Sequence, residues 1–392
     1  MSLLVFPLIG YAVTGSAALA GLATAAVFAG TALTRLPVGA LVDRWPRDRV
    51  LFWANLVAAA TYASLGLAAL GDALTLAHLI VGGLVGGACE SFIAPATSAA
   101  IRTVVARERL PDAYARLEAR RHAAQLIGPP LGGALFSVAH GLPFLIDAAS
   151  YAGLAGCVLR LRTPLPAPAG DAGRSVRRDV AAGLRFVWGE TAIRAMMLWG
   201  AIVNFGGIVV LVVVTLRLIR AGVHPAAIGA VETTAAVAAL AGSLFAPALV
   251  RRIRTGRLTL VSGAVVAVSV VPMAWTTQVL VLGALLALGA VLMPANNSAI
   301  SAYLAARTPD RMQGRMNSAA GFIAEAPQPL APLLAGVLLV GVGGVAATLI
   351  GAGCVALSLV PVAASREVRT LGRPDEWAEA PQEPTPEIRT VE

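Results

Sequence analysis

Apolar residues fall in twelve long runs, and the connections between them alternate between arginine-rich and arginine-free. The runs cover residues 2–15, 17–42, 50–70, 74–101, 115–137, 143–161, 195–216, 225–250, 258–275, 278–300, 316–340 and 343–364. Ala, Leu and Gly dominate them without period-two alternation, which predicts helices rather than strands. Stretches such as Ala195–Leu216, Leu258–Trp275 and Val279–Pro294 hold few or no charges. A helix crosses a hydrocarbon core with about 20 apolar residues, and in lipid it satisfies its own backbone. The pattern predicts an all-α polytopic membrane protein. The first run departs from it: about 14 residues reach only about 21 Å. The chain is therefore expected to begin inside a membrane helix, with the true start upstream of Met1. No basic segment precedes Leu3, so the run lacks the form of a cleaved signal peptide.

Charge adds direction. The net charge is +9, every basic residue is arginine, and only 13% of residues are charged, against roughly a quarter in soluble domains. Arg44, Arg47 and Arg49 mark one connection, and Arg102 through Arg121 the next on the same side. The middle connection carries Arg160 through Arg194; Arg251–Arg257 and Arg307–Arg315 complete the set. Connections near Thr14–Ser16, Gly71-Asp72, His140-Gly141, Thr276–Gln278 and Gly341–Gly344 carry none; Arg217 and Arg220 break the pattern. The positive-inside bias then predicts cytoplasmic termini and an inner (plasma) membrane location. Arginines placed this way do not form the basic face that nucleic acid requires. Cys89, Cys157 and Cys354 sit singly inside apolar runs, as small core residues rather than disulfides or metal ligands. Trp45, Trp53, Trp188, Trp199 and Trp275 fall near predicted interfaces, as an aromatic belt would.

The chain reads as two copies of one unit. Ala94-Pro95-Ala96-Thr97-Ser98-Ala99-Ala100-Ile101 matches Met293-Pro294-Ala295-Asn296-Asn297-Ser298-Ala299-Ile300, and Pro111-Asp112 matches Pro309-Asp310 in nearly the same register. Residues 1–161 form the first six-helix half and 195–364 the second. Residues 162–194 form a central cytoplasmic loop with a basic amphipathic stretch through Val180–Trp188, expected on the membrane surface. The polar, proline-rich residues 365–392 are expected to be a disordered tail. Parallel six-helix repeats place a binding site near the midplane, between the halves.

Three motifs add chemistry. Gly39-Ala40-Leu41-Val42-Asp43-Arg44-Trp45-Pro46-Arg47-Asp48-Arg49 joins the second and third runs. Gly39 permits close helix approach, and Asp43, Arg44, Arg47 and Arg49 can form ion pairs that hold one conformation. The second half keeps Gly242 at the equivalent place without the Asp-Arg pair. Gly128-Pro129-Pro130-Leu131-Gly132-Gly133 in the fifth run predicts a hinge, because proline removes helix hydrogen bonds. Ile146-Asp147-Ala148-Ala149-Ser150-Tyr151 precedes the central loop. Together with twelve helices, these motifs resemble the major facilitator superfamily, and within it the enterobactin-exporter and macrolide-efflux branch. The resemblance departs at Pro46, Asp48, Ala115 and Ala124. It implies a major facilitator fold of two six-helix halves, and efflux of a small molecule driven by proton entry, with a drug, siderophore or secondary metabolite as cargo. It also implies a monomer in a lipid bilayer, with no cofactor beyond the proton gradient.

Ionisable residues at membrane depth are functional candidates by default. Glu90, Glu325 and Glu232 are the candidate proton carriers, because a carboxyl removed from water holds its proton more tightly; Asp147 is a weaker candidate that also suits a helix-end role. Arg35 is expected to snorkel to the cytoplasmic surface. Gln125, Tyr151, Asn204, Asn296 and Asn297 are candidate substrate contacts, with interhelical hydrogen bonding as the alternative. No metal-ligand cluster, nucleophile elbow or phosphate-binding lysine loop occurs, so the chain is not expected to be an enzyme. Import by the same fold and a non-transporting scaffold or sensor remain open.

Overall fold

The computed structural model describes residues 2–42, 45–106, 109–161, 176–308, 312–374 and 376. In the first half lie α1 (Ser2–Thr14), α2 (Ala17–Val42), α3 (Arg47–Leu70), α4 (Leu76–Val104), α5 (Leu110–Val138) and α6 (Leu142–Leu159). α7 (Val176–Gly189) forms within the central connection. The second half comprises α8 (Thr191–Arg220), α9 (Pro225–Arg252), α10 (Thr255–Val270) with a 3-10 extension (Val271–Trp275), α11 (Val279–Ala290), α12 (Met293–Arg307), α13 (Gln313–Glu325), α14 (Leu330–Gly341), α15 (Gly343–Leu357) and α16 (Leu359–Ala364). A short α17 (Arg366–Thr370) follows.

Among the described residues, ten helical segments are long and apolar enough to cross a membrane, once α11–α12, α13–α14 and α15–α16 are each taken as one. α1 is too short, and α5 carries Arg116, Arg120 and Arg121 along its first half. At about 1.5 Å per residue α5 is about 43 Å long, so its charged turns extend beyond a hydrocarbon core of about 30 Å. Apolar side chains cover the outside of the bundle: Leu244 is 76% exposed and Leu280 88%. Such a surface suits lipid rather than water. Trp45, Trp53, Trp188 and Trp275 share that exposure. Trp199 does not: it is 2% exposed and packs in the second-half core, so it leaves the expected belt.

Small residues set the packing. Within the first half α2 lies along α4, where Gly83 and Gly87 admit Val27 and its neighbours, and Thr34 bonds Ser91 at 2.6 Å. Between the halves α2 meets α14 and α5 meets α9. Gly21 is seated against Pro332 and Gly336, Gly133 against Pro225 and Ala226, and Gly229 against Pro129 and Pro130. A side chain at any of these would collide with backbone. All three contacts lie toward the arginine-poor end, where Gly222 (φ 71°) and Gly343 (φ 82°) make the tight turns.

The expected hinge in α5 is not where the chain breaks. α5 runs unbroken through Pro129 and Pro130. Pro130 removes the donor that the Leu126 carbonyl would otherwise meet, and Thr233 Oγ1 of α9 donates to that carbonyl at 3.4 Å. The long helices of the first half are all continuous, as are α8 and α9; the later segments of the second half are interrupted at 291–292, 326–329 and 358. Nor does the segment after residue 364 all lie free. Val368 of α17 is fully buried, Glu367 Oε2 accepts from the Ala192 N–H at 3.1 Å, and Thr255 N donates to Gly372 O at 3.1 Å. The tail's first turn thus caps α8 and clasps the start of α10.

Candidate functional site

Two groups of charged and aromatic side chains stand at membrane depth. The first lies in the N-terminal half. The Tyr151 hydroxyl on α6 donates to Glu90 Oε1 on α4 at 3.4 Å. Asp147 is one turn before Tyr151 and therefore on the same helix face, within electrostatic reach of both Glu90 and Tyr151. The Tyr151 ring stacks on Tyr62 of α3, centroids 5.6 Å apart and planes 4° apart, and Tyr62 stacks on Phe144 at 6.3 Å. Gly86, one turn before Glu90, leaves the space that Tyr62 fills: a Cβ there would come within 2.8 Å of its hydroxyl. The packed aromatic ladder fixes the phenol beside the carboxyl, and Asp147 lies too far into α6 to cap it.

The second group crosses between the halves. Arg35 of α2 forms an ion pair with Glu325, the last residue of α13. Arg35 is thus not simply snorkelled, as the sequence suggested, but is held by an acid from the opposite half. Glu325 sits where the helix dipole and free carbonyls disfavour negative charge, so a guanidinium there is strongly complementary. Just beyond it, Pro327 and Pro329 each lack an N–H, and the chain turns through 326–329 before α14 begins. Gln328 compensates in part: its backbone N–H donates to Glu325 O at 3.0 Å and its side-chain Nε2 to Ala324 O at 3.2 Å. Gly321, one turn before Glu325, makes room for the Arg35 guanidinium.

Glu232 lies on α9 beside Thr233 and Thr234, which bond the carbonyls of Leu126 and Gly283. It joins neither group. Of the candidate gating residues, Asp43 and Arg44 lie outside the described residues. Arg47 Nη1 donates to Thr103 Oγ1 at 2.8 Å, tying the start of α3 to α4, and Arg49 is exposed. Asn204 lines a cavity among α8, α9, α10 and α11–α12. Gln125 and Asn297 are exposed, whereas Asn296 is wholly buried between helices, too enclosed to meet a substrate entering between the halves. Arg217 acts as a clamp at the arginine-poor end: it donates to Met273 O at 2.8 Å, Thr276 O at 3.3 Å and Thr348 Oγ1 at 3.2 Å, joining three helices. Among the described residues no group of three or more His, Cys, Asp or Glu could hold a metal ion.

Arg35 is the functional candidate that sequence reasoning undervalued. An arginine eighteen residues below the start of α2, about 27 Å along it, was the available signal.

Comparison with known proteins agrees with this architecture. The family model described as Major Facilitator Superfamily matches residues 1–324. Multidrug resistance protein 1 of Bacillus subtilis (strain 168) is 31% identical over 148 residues, which is 37% of this chain and 38% of that protein. The chain thus matches well under half the length of that relative. Among solved structures, a bacterial homolog of the human lysosomal transporter Spinster, inward-facing and occupied, aligns with a TM-score of 0.67 at 16% identity, over 94% of each chain. The nucleoside transporter NupG aligns with a TM-score of 0.68 at 14% identity, over 93% of this chain and 97% of that one. These two likenesses concern the fold.

Proposed function

The chain belongs to the Major Facilitator Superfamily and is a membrane transporter rather than an enzyme; we propose that it exports a small molecule in exchange for protons, by alternating access. The observation that carries this reading is a pair of carboxyl groups at membrane depth, one held by a phenol and the other paired across the two halves. Glu90 with Asp147 and Tyr151 forms a site that can take up and release a proton. Glu325 is paired to Arg35 across the two halves, so its charge is neutralised either by the guanidinium or by a proton. When the halves rock apart at that level, the pair separates and Glu325, left at a helix C-terminus, favours the protonated form. When they close, Arg35 returns and the proton is displaced. Proton binding and helix movement then become one event.

Orientation follows from the arginines. With the arginine-rich end in the cytoplasm of a plasma membrane, the named close contacts between the halves lie toward the outer side. The Arg35–Glu325 pair also ties the halves toward the cytoplasmic side, so loading cargo from inside, as an exporter must, begins with its release. Partial similarity to a multidrug resistance protein points the same way. A drug, siderophore or secondary metabolite is the cargo class, and the protein acts as a monomer with no cofactor but the gradient.

The test is proton movement in inverted vesicles carrying the full-length protein, challenged with a panel of antibiotics and siderophores. Substrate-triggered collapse of the pH gradient is expected. It should fall at least tenfold in Glu90→Gln and in Glu325→Gln, with the variants shown inserted and folded. Full activity in both variants would remove these acids from the mechanism.

A further inference from the structure

We propose that the open cavity bounded by α8, α9, α10 and α11–α12 seats an uncharged, predominantly apolar ring system of the transported molecule. This rests on the transport reading above and adds the class of cargo to it. The cavity has a volume of about 270 Å³ and draws its walls from the C-terminal half alone. Its middle, near Gly207, lies about 24 Å along α8, at the depth where repeats of this kind place binding.

The lining decides the class. Val203, Leu211, Val266, Met273, Leu286 and Met293 make the walls, and no lining residue is charged. The deep wall is part of the core: Val210 is 2% exposed and Met273 0%. Only Asn204 and Ser269 offer polar atoms, and each has already engaged a donor. Asn204 Nδ2 donates to Gly200 O at 2.8 Å and Ser269 Oγ to Val266 O at 2.9 Å. One amide carbonyl, one N–H and one hydroxyl oxygen remain. A sugar or other polyhydroxylated group would leave most of its hydrogen bonds unmade there, and an ion would lose its hydration without a counter-charge. An apolar ring loses nothing and gains by leaving water. Apolar cavities of about 150 Å³ already take benzene, so this one has room for two fused rings. The two methionines allow the wall to adjust to different outlines.

Gly207 marks the space independently. A Cβ built there meets nothing within 4 Å, whereas one built on the adjacent Gly206 would come within 2.8 Å of the Val355 backbone. Gly206 faces packed helix; Gly207 faces the void. A larger side chain at 207 therefore fills the cavity without displacing a neighbour. Glu90 and Asp147 belong to the other half and line none of it. Cargo body and proton thus occupy separate places and are linked through the movement of the halves, not by contest for one site.

The experiment is photolabelling of the full-length protein in lipid nanodiscs with 5-iodo-1-naphthyl azide, a neutral fused-ring probe, followed by peptide mass spectrometry. Label is expected on Leu286 or Met293, reduced at least tenfold in Gly207→Leu. Label on the lipid-facing Leu244 and Leu280 should not change. Gly353→Leu, which adds the same bulk where a Cβ also meets nothing, should leave all labelling as in the wild type. Absence of cavity label, persistence of it in Gly207→Leu, or a retained lipid acyl chain that excludes the probe would each overturn the proposal. Labelling needs no gradient. Cavity label without proton-coupled export would therefore overturn the transport reading alone, and export with no cavity label would overturn this inference alone.

Discussion

Removing either member of the Arg35–Glu325 pair should shift the balance between the two arrangements of the halves. Two unit charges about 4 Å apart at an effective dielectric constant of about 20 attract by about 4 kcal/mol. The side chains are 40% and 29% exposed, and exposed pairs retain only about 0.2–1 kcal/mol. A partly screened value of about 1–1.5 kcal/mol is reasonable, to which the helix C-terminus adds about 0.3–1 kcal/mol of preference for a cation beside Glu325. The sum, about 2 kcal/mol, corresponds to roughly a 30-fold change in a two-state equilibrium. Spin labels at Ala73→Cys and Thr277→Cys, on exposed connections of the two halves at the arginine-poor end, report that equilibrium by pulsed electron resonance. The background should replace Cys89, Cys157 and Cys354 by serine. Because the pair lies toward the arginine-rich end, its loss opens that end and closes the other, so Arg35→Gln and Glu325→Gln should each deplete the population with separated labels by roughly 10- to 30-fold. The double variant should resemble either single one, because the second substitution removes nothing that still acts. Single variants that move the populations less than twofold, or a double variant equal to the sum of both, would refute the reasoning.

Two further outcomes are expected. Gly229→Val would press a side chain against the Pro129 carbonyl at a cost of about 1–3 kcal/mol; the same spin labels should show the halves held apart, while Gly153→Val, where nothing lies within 4 Å, should be silent. Glu367→Ala removes the acceptor for the Ala192 N–H, worth about 0.5–2 kcal/mol as a helix cap; thermal unfolding in detergent should occur at lower temperature, with the transport rate unchanged.

Much of the architecture was legible in the chain because lipid enforces it. Runs of apolar residues, arginine-phased connections and the repeated Pro-Ala segment each follow from a one-dimensional rule, and the helices lie where those rules put them. Positions of chemistry were harder to read. Arg35 and Glu325 are 290 residues apart, and only the pairing of α2 with the α13–α14 segment brings them together. Asp147 read as a possible helix-end group because its neighbours on α4 were invisible. The prolines misled for a related reason. Pro129-Pro130 and Pro327-x-Pro329 look equally disruptive along the chain, yet Thr233 from another helix answers the Leu126 carbonyl that Pro130 frees, and α5 stays whole. Asn296 read as a substrate contact or an interhelical group and Trp199 as interfacial, and tertiary packing enclosed both. The tail's acidic, proline-rich composition concealed Val368, which anchors its first turn together with the Glu367 and Gly372 hydrogen bonds.

The interruptions in the second half constrain more than flexibility. A continuous membrane helix can present any side to acyl chains, since its backbone is satisfied internally. A helix broken at 291–292 or 326–329 carries polar backbone that hydrocarbon cannot accommodate, so those turns must stay against protein or water throughout the transport cycle. Those segments are thereby keyed in their rotation about the membrane normal, as is α5 at Leu126, whose carbonyl must stay against Thr233.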